Sequence, residues 1–196
     1  MRGLKRERIL RVLLTEPKPL SKNELSKRAT CTRQWVILFL RALEKKKLVK
    51  KTTVVDPAEL IKYWITIHKK PRKYREYMVK DPLTILRKTK LTYALTTYQA
   101  ENLVQQHLFP SRIDVYIEEA DVPAWHSLFL KEGLYGKGNV RIIVTEEPTF
   151  YGKRKLNNLF VVSLPQLIID LFAEGGPAVE AAEMLLSRIK KHVSRI

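Results

Sequence analysis

The chain has 196 residues and a formal net charge of +17, from 37 Lys and Arg against 20 Asp and Glu. That length suggests one or two domains with room for an apolar core. A single cysteine, Cys31, excludes an internal disulfide framework and a cysteine-rich zinc site within one chain, and reads as a small buried residue rather than a reactive thiol. Met1 to Arg11 is too charged for a signal peptide and no apolar run reaches membrane-spanning length, so a cytoplasmic protein with no membrane partner is expected.

In chain order, Leu4 to Thr15 spaces apolar residues among basic ones as an amphipathic helix, ended by Pro17 and Pro19. Ser21 and Glu24 have the spacing of a capping box, opening a short helix from Lys22 to Arg28. Thr30-Cys31-Thr32 makes a turn. A third helix runs from Arg33 to Lys46, with Val36, Leu40 and Leu43 as its core stripe. Residues 35–40 are apolar all round, so Trp35 or Leu38 is expected against another helix or a second subunit. Leu48 to Val55 is rich in β-branched residues and reads as strand. Helix, capped helix, turn, helix and strand together describe a winged helix-turn-helix over residues 1–68. Lys47 stands where such domains usually carry glycine, and no Gly, Asn or Asp turn follows, so the wing is expected to be short or lost.

Asp56-Pro57 is an N-cap with proline at the first helical position, opening a helix to about His68. This helix packs on the winged helix, connects the halves, or makes a dimer contact. Residues 69–82 begin with a basic, proline-containing run and are expected to be a linker, either a solvated connector or a phosphate-contacting arm. The remainder, 83–196, alternates. Strands are expected at Leu91–Leu95, Ile113–Ile117, Val140–Val144 and Leu159–Val162. Helices are expected at Thr97–His107, Val122–Lys131, Pro165–Ala173 and, after the Gly175-Gly176-Pro177 break, to about His192. Tyr135–Asn139 reads as a hairpin turn and 146–158 as a polar loop. The expected fold class is α+β: an N-terminal winged helix-turn-helix followed by a mixed α/β domain.

Charge divides along the same line. Residues 1–90 hold 26 basic and 8 acidic residues; residues 91–196 hold 11 and 12. A basic half joined to a neutral half points to a polyanion-binding module on a neutral partner domain. In a helix-turn-helix the N-terminal residues of the third helix meet base edges in the major groove. The residues facing away from its core stripe are Arg33, Gln34, Ile37 and Arg41. Arg takes guanine O6 and N7, Gln takes adenine N6 and N7, and Ile37 suits a thymine methyl. Lys22, Lys45, Lys50 and Lys51 are expected on the phosphates, and Arg28 and Thr32 are further candidates for DNA binding.

Enzyme signatures are weak. Asp114, Glu118, Glu119 and Asp121 cluster near the second strand of the neutral half, but the acidic pair two apart after a Gly-Ser turn, which a nucleotidyltransferase needs, is missing. A solvated strand end is expected there. His68, His107, His126 and His192 are scattered and read as surface or packing residues, and Gly136-Lys137-Gly138 lacks the strand-loop-helix of a phosphate motif. No catalytic residue, metal ligand or cofactor is assigned.

Two stretches carry a family resemblance. One is Tyr93-Ala94-Leu95-Thr96-Thr97-Tyr98-Gln99-Ala100-Glu101 with Arg112 to Ile117. The other is Val162 to Leu171 with Gly175-Gly176 and Glu180 to Leu186. With the N-terminal winged helix they resemble the AbiEi antitoxins of type IV toxin–antitoxin systems, although Thr96-Thr97 stands where a Thr-Gly step is expected. The resemblance implies a DNA-binding autorepressor that counteracts a nucleotidyltransferase-like toxin, with a toxin partner and a homodimer as further expectations. The runner-up is a metal-dependent enzyme acting on nucleic acid through Asp114 and Glu118. A third reading is an RNA-binding or chromatin-like protein with little sequence preference.

Overall fold

A computed structural model describes residues 2–71 and 73–193, with side chains from residue 4 to 189, and the architecture is α+β. The first elements are helices α1 (Arg2–Thr15), α2 (Lys22–Arg28) and α3 (Arg33–Lys45), a hairpin of β1 (Val49–Lys50) and β2 (Thr53–Val54), and α4 (Pro57–Ile67). Their boundaries follow local chemistry. Ser21 Oγ accepts the Glu24 N–H at 3.0 Å, Thr32 Oγ1 accepts that of Trp35, and Asp56 accepts those of Ala58 and Glu59. Lys47 takes the glycine-like conformation with φ 59, and Lys51 does the same with φ 58, turning the hairpin within two residues.

The segment expected as a linker is structured. Tyr74–Val79 forms β3, an inner strand, and Pro82–Lys88 forms α5, capped by Asp81. Arg75 and Glu76 place a charge on each face and hide the strand, yet Tyr77 and Val79 alternate inward. Arg72, also in the expected linker, lies outside the described residues.

The rest comprises β4 (Ala94–Thr96), α6 (Thr97–Gln105), β5 (Ile113–Glu118), α7 (Val122–Leu130), β6 (Gly133–Tyr135), β7 (Val140–Thr145), β8 (Arg154–Leu156), β9 (Leu159–Val161), α8 (Leu164–Glu174) and α9 (Pro177–Val193). Among the described residues the sheet has seven strands in the order β6-β3-β7-β5-β4-β9-β8. The pairs β5/β7 and β4/β9 are parallel and the others antiparallel.

Two expected connections differ. Residues 136–139 are not a hairpin turn, because β3 lies between β6 and β7 and the segment must cross its end. Only glycine fits at 138, where a Cβ would sit 2.3 Å from the Tyr77 carbonyl oxygen. The polar loop at 146–158 contains a 3-10 turn at Glu147–Phe150 and the β8/β9 hairpin. Asn157 and Asn158 turn that hairpin, both at positive φ as a type I′ turn requires.

Both sheet faces are covered, as in a layered α/β structure. Asp114 and Tyr116 of β5 point to the face carrying α8, while Tyr77 stacks on Phe129 of α7 on the other. Helices α1 and α4 pack directly on α8, and α4 also on α9, so the apolar core is continuous from Ile9 and Trp64 to Leu171 and Ala182.

Candidate nucleic-acid interface

Helix α3 is split lengthwise by burial. Val36, Leu40 and Leu43 are buried as expected, and Phe39 joins them, tilted against Tyr63 of α4 with Arg6 over its ring. Trp35 and Ile37 are half-buried. Opposite runs an exposed stripe of Gln34, Leu38, Arg41 and Lys45, at one helical face, with Arg33 exposed at its start. Leu38 is 52 % exposed in the middle of this polar stripe. Sequence reasoning chose Ile37 for the apolar contact; the structure places Leu38 further out. The signal was present in the i, i+4, i+7 spacing of Gln34, Leu38 and Arg41.

Lys22, Arg33, Arg41, Lys45, Lys50 and Lys51 are exposed, and none enters an ion pair among the described residues. Arg28 differs. Its guanidinium pairs with Glu24 and Glu16 and donates to the Tyr151 hydroxyl, so it fastens α2 rather than standing free. Thr32 serves as the N-cap of α3. Its hydroxyl oxygen is therefore used inside the turn, leaving Arg33 and Gln34 as the first outward side chains. Lys51 donates its backbone N–H to Glu44 at 2.8 Å, which ties the hairpin to α3. Cys31 is half-buried beside the Ala29 carbonyl, and burial pushes its thiol up, away from thiolate chemistry.

The second half grips this module at the turn. Arg8 of α1 pairs with Glu146 and also donates to the Thr30 carbonyl, while Arg11 donates to the Pro148 carbonyl. Tyr151 bonds Glu16, and Gly152, at φ 73, lies so close to α1 that a Cβ would sit 2.3 Å from Thr15 Cγ2. The segment from Glu146 to Gly152 thus fastens α1 and the end of α2 to the sheet-bearing half.

Asp114 is not on a solvated strand end. It is fully buried and receives Nε of Arg112 at 2.7 Å, Nε of Arg141 at 2.9 Å and the Thr97 hydroxyl. Glu174 of α8 bridges the same two guanidiniums. Those bonds hold Glu174 below the usual carboxylate range although burial pushes it up. Glu118 lies four residues along the strand, about 13 Å away, beyond the span of one ion. The two carboxylates are therefore not brought together as the enzyme reading requires.

Beside this cluster lies a second buried network that sequence reasoning missed. Asp170 of α8 accepts from the Thr96 hydroxyl at 2.5 Å, the Tyr116 hydroxyl at 3.1 Å and Gln166 at 2.7 Å. Gln166 in turn accepts both Nε and Nη2 of Arg11, itself buried over the Trp64 ring. Glu7 accepts from Trp64 Nε1 and His68 Nδ1 at 2.9 and 2.7 Å. Burial lifts Glu7, but the His68 and Trp64 hydrogen bonds outweigh it and bring the group below its ordinary value. His68 is thus an interior residue, and His126 packs against Tyr77 with Nδ1 at 2.9 Å from its hydroxyl. His107 is 4.0 Å from Glu180, and the side chain of His192 lies outside the described residues. Such partners are distant in sequence and carry no local pattern.

No protein-family model matches the chain, and neither does any curated protein or solved structure. No helix of the described residues is long and apolar enough to cross a membrane.

Proposed function

We propose that the chain is a duplex-DNA-binding transcriptional regulator that reads sequence with the first two turns of α3 in a winged-helix module. One observation carries this reading: Arg33, Gln34, Leu38, Arg41 and Lys45 form an exposed stripe whose cations have no carboxylate partner among the described residues, opposite the buried Val36, Leu40 and Leu43. A helix end of this kind favours close approach to phosphate and places Arg and Gln at base edges. Lys22, Lys50 and Lys51 flank it as sequence-independent phosphate contacts. The AbiEi resemblance extends the reading to an autorepressor that counteracts a nucleotidyltransferase-like toxin, with the neutral sheet-bearing half as its partner side.

The test is selection of a preferred site from random duplexes, followed by titration of that site and a scrambled duplex. The reading requires the selected site to bind at least about a thousandfold tighter than the scrambled one at physiological salt. Equal affinity for both would instead mark a non-specific binder. Autorepression is tested separately, by a reporter driven from the chain's own promoter.

A further inference from the structure

A cavity of about 190 Å³ opens where α4, α6, α8 and the sheet meet. It is smaller than the roughly 300–1,000 Å³ of drug-sized sites, so its occupant is small. Two polar features in its walls have unmet capacity. The first is the start of α6: Thr96 spends its hydroxyl on Asp170, so no side chain caps the first-turn N–H groups. The second is His68, whose side chain is only 9 % exposed. Its Nδ1 faces Glu7, and Nε2, on the far side of the ring, is buried with no hydrogen-bond partner among the described residues. Thr97, the first residue of α6, holds φ 49, a left-handed conformation unusual for a β-branched residue. Strain of this kind collects at ligand sites.

These groups sort by sign. The α6 N–H groups are donors, as are Arg141, whose Nη1 takes no partner among the described residues, and the exposed Lys70, which also lines the cavity. Glu174, also on the wall, is already bridged by two arginines. The acceptors are Asp170 Oδ2, which receives only the Thr96 hydroxyl, and His68 Nε2, a lone pair when Nδ1–H is given to Glu7. An anion alone would meet Asp170, and a cation alone would meet the helix N-terminus. A molecule carrying both charges satisfies both. Thr96 touches Asp170 and the next residue opens α6, so the two ends are adjacent, the spacing of an α-amino acid rather than a longer zwitterion. Tyr74, Pro71, Ile143 and Ala173 supply an apolar wall between them.

We propose that this cavity binds a small apolar α-amino acid, its carboxylate at the start of α6 and Arg141, its ammonium between Asp170 and His68. Calorimetry and thermal shift on the full chain test it with L-leucine, L-isoleucine and L-phenylalanine as probes. At least one is expected to bind saturably. N-acetyl-L-leucine, lacking the ammonium, and L-leucinamide, lacking the carboxylate, are expected to bind at least about tenfold more weakly. Asp170→Asn, which keeps an acceptor for Thr96 or Tyr116, is expected to lose a similar factor. Should that variant not fold, Ala173→Met fills the cavity from its apolar wall and is expected to abolish binding. The proposal is overturned if no probe binds up to about 10 mM. It is overturned equally if acetate or inorganic phosphate binds as well as the amino acid, if the blocked analogues bind undiminished, or if folded Ala173→Met binds as the wild type does.

Discussion

Arg33 and Lys50 are both exposed and basic, yet they stand in different places and predict different outcomes. Arg33 opens α3, so Arg33→Ala is expected to cost about 1–3 kcal/mol on a preferred site and to flatten discrimination at one base position. Lys50 lies on the hairpin, so Lys50→Ala is expected to weaken all duplexes alike and lower the salt slope by about one. Fluorescence anisotropy on a selected site and a scrambled one separates them. If Arg33→Ala weakens both duplexes by the same factor, α3 does not read bases through Arg33. Asp114 is a residue of another kind. It lies buried between Arg112 and Arg141, so Asp114→Asn leaves two guanidiniums sharing Glu174 alone. Breaking such a pair costs about 3–5 kcal/mol, expected as a large fall in the urea midpoint, whereas Glu118→Gln at the half-exposed end of β5 should move it little.

At the scale of elements, the 3-10 turn after β7 is the piece that joins the basic helices to the sheet. Gly152, just after it, packs against Thr15 at the end of α1 and holds a positive φ that L side chains resist. Gly152→Ala is expected to cost about 1–3 kcal/mol, read from chemical denaturation, by pushing Thr15 away and loosening the turn. A melt unchanged by this substitution would show that the turn yields without cost. The legible elements were those whose signals are local. Ser21, Asp56 and the Val36-Leu40-Leu43 stripe wrote α2, α4 and α3 into the chain. Asp81-Pro82 repeats the Asp56-Pro57 signature and marks α5, but the surrounding basic residues read as linker and masked it. Strand β3 is masked for the same reason, since Arg75 and Glu76 put a charge on each of its faces. The exposed stripe of α3 is local to one helix, so its exposure was largely legible. The cavity was not: His68, Thr96 and Asp170 come from three distant segments, and only the packing of α4 and α8 on the sheet brings them together. The Thr96-Thr97 step did carry a trace, since Thr97 adopts the conformation a glycine would take there.

Across the whole molecule the buried carboxylates pull stability in opposite directions with pH. Glu7 titrates below its ordinary value in the folded chain, so its contribution is fully present above the unfolded value of 4.5 and is lost as pH falls through the folded one. Asp170 is raised, chiefly by burial, from 3.8. Its folded form holds a proton more tightly, so it favours the fold at low pH and loses that contribution as pH rises through the folded value. The expected signature is that Glu7→Gln destabilises most at neutral pH and progressively less below about 4.5. A Glu7→Gln difference that stays constant from neutral to acid pH would contradict an ionised Glu7 carboxylate in the folded chain.

Salt dependence of binding follows from where the charge lies. The 26 basic residues in the first 90 outnumber 8 acidic ones, while the remainder is close to neutral. Several of the acidic residues of the first half are already committed inside it: Glu7 to His68, Glu16 and Glu24 to Arg28, and Asp56 to the cap of α4. The exposed cations around α3 and the hairpin therefore face solvent with little local neutralisation. Each phosphate they contact releases condensed counterions, which makes affinity fall with salt in proportion to the number of contacts. If about six phosphates are neutralised, duplex affinity should drop roughly a thousandfold between 50 and 200 mM salt. Titrations at several salt concentrations give the slope directly. Excising residues 1–70 is a poor route to the same answer, because α1 and α4 pack on α8 and the cut would expose Arg11 and Trp64. Charge reversal within the full chain is cleaner: Lys50→Glu with Lys51→Glu should flatten the slope by about two or more without touching the core. A slope that the double variant leaves unchanged would move the phosphate path off the hairpin and away from α3.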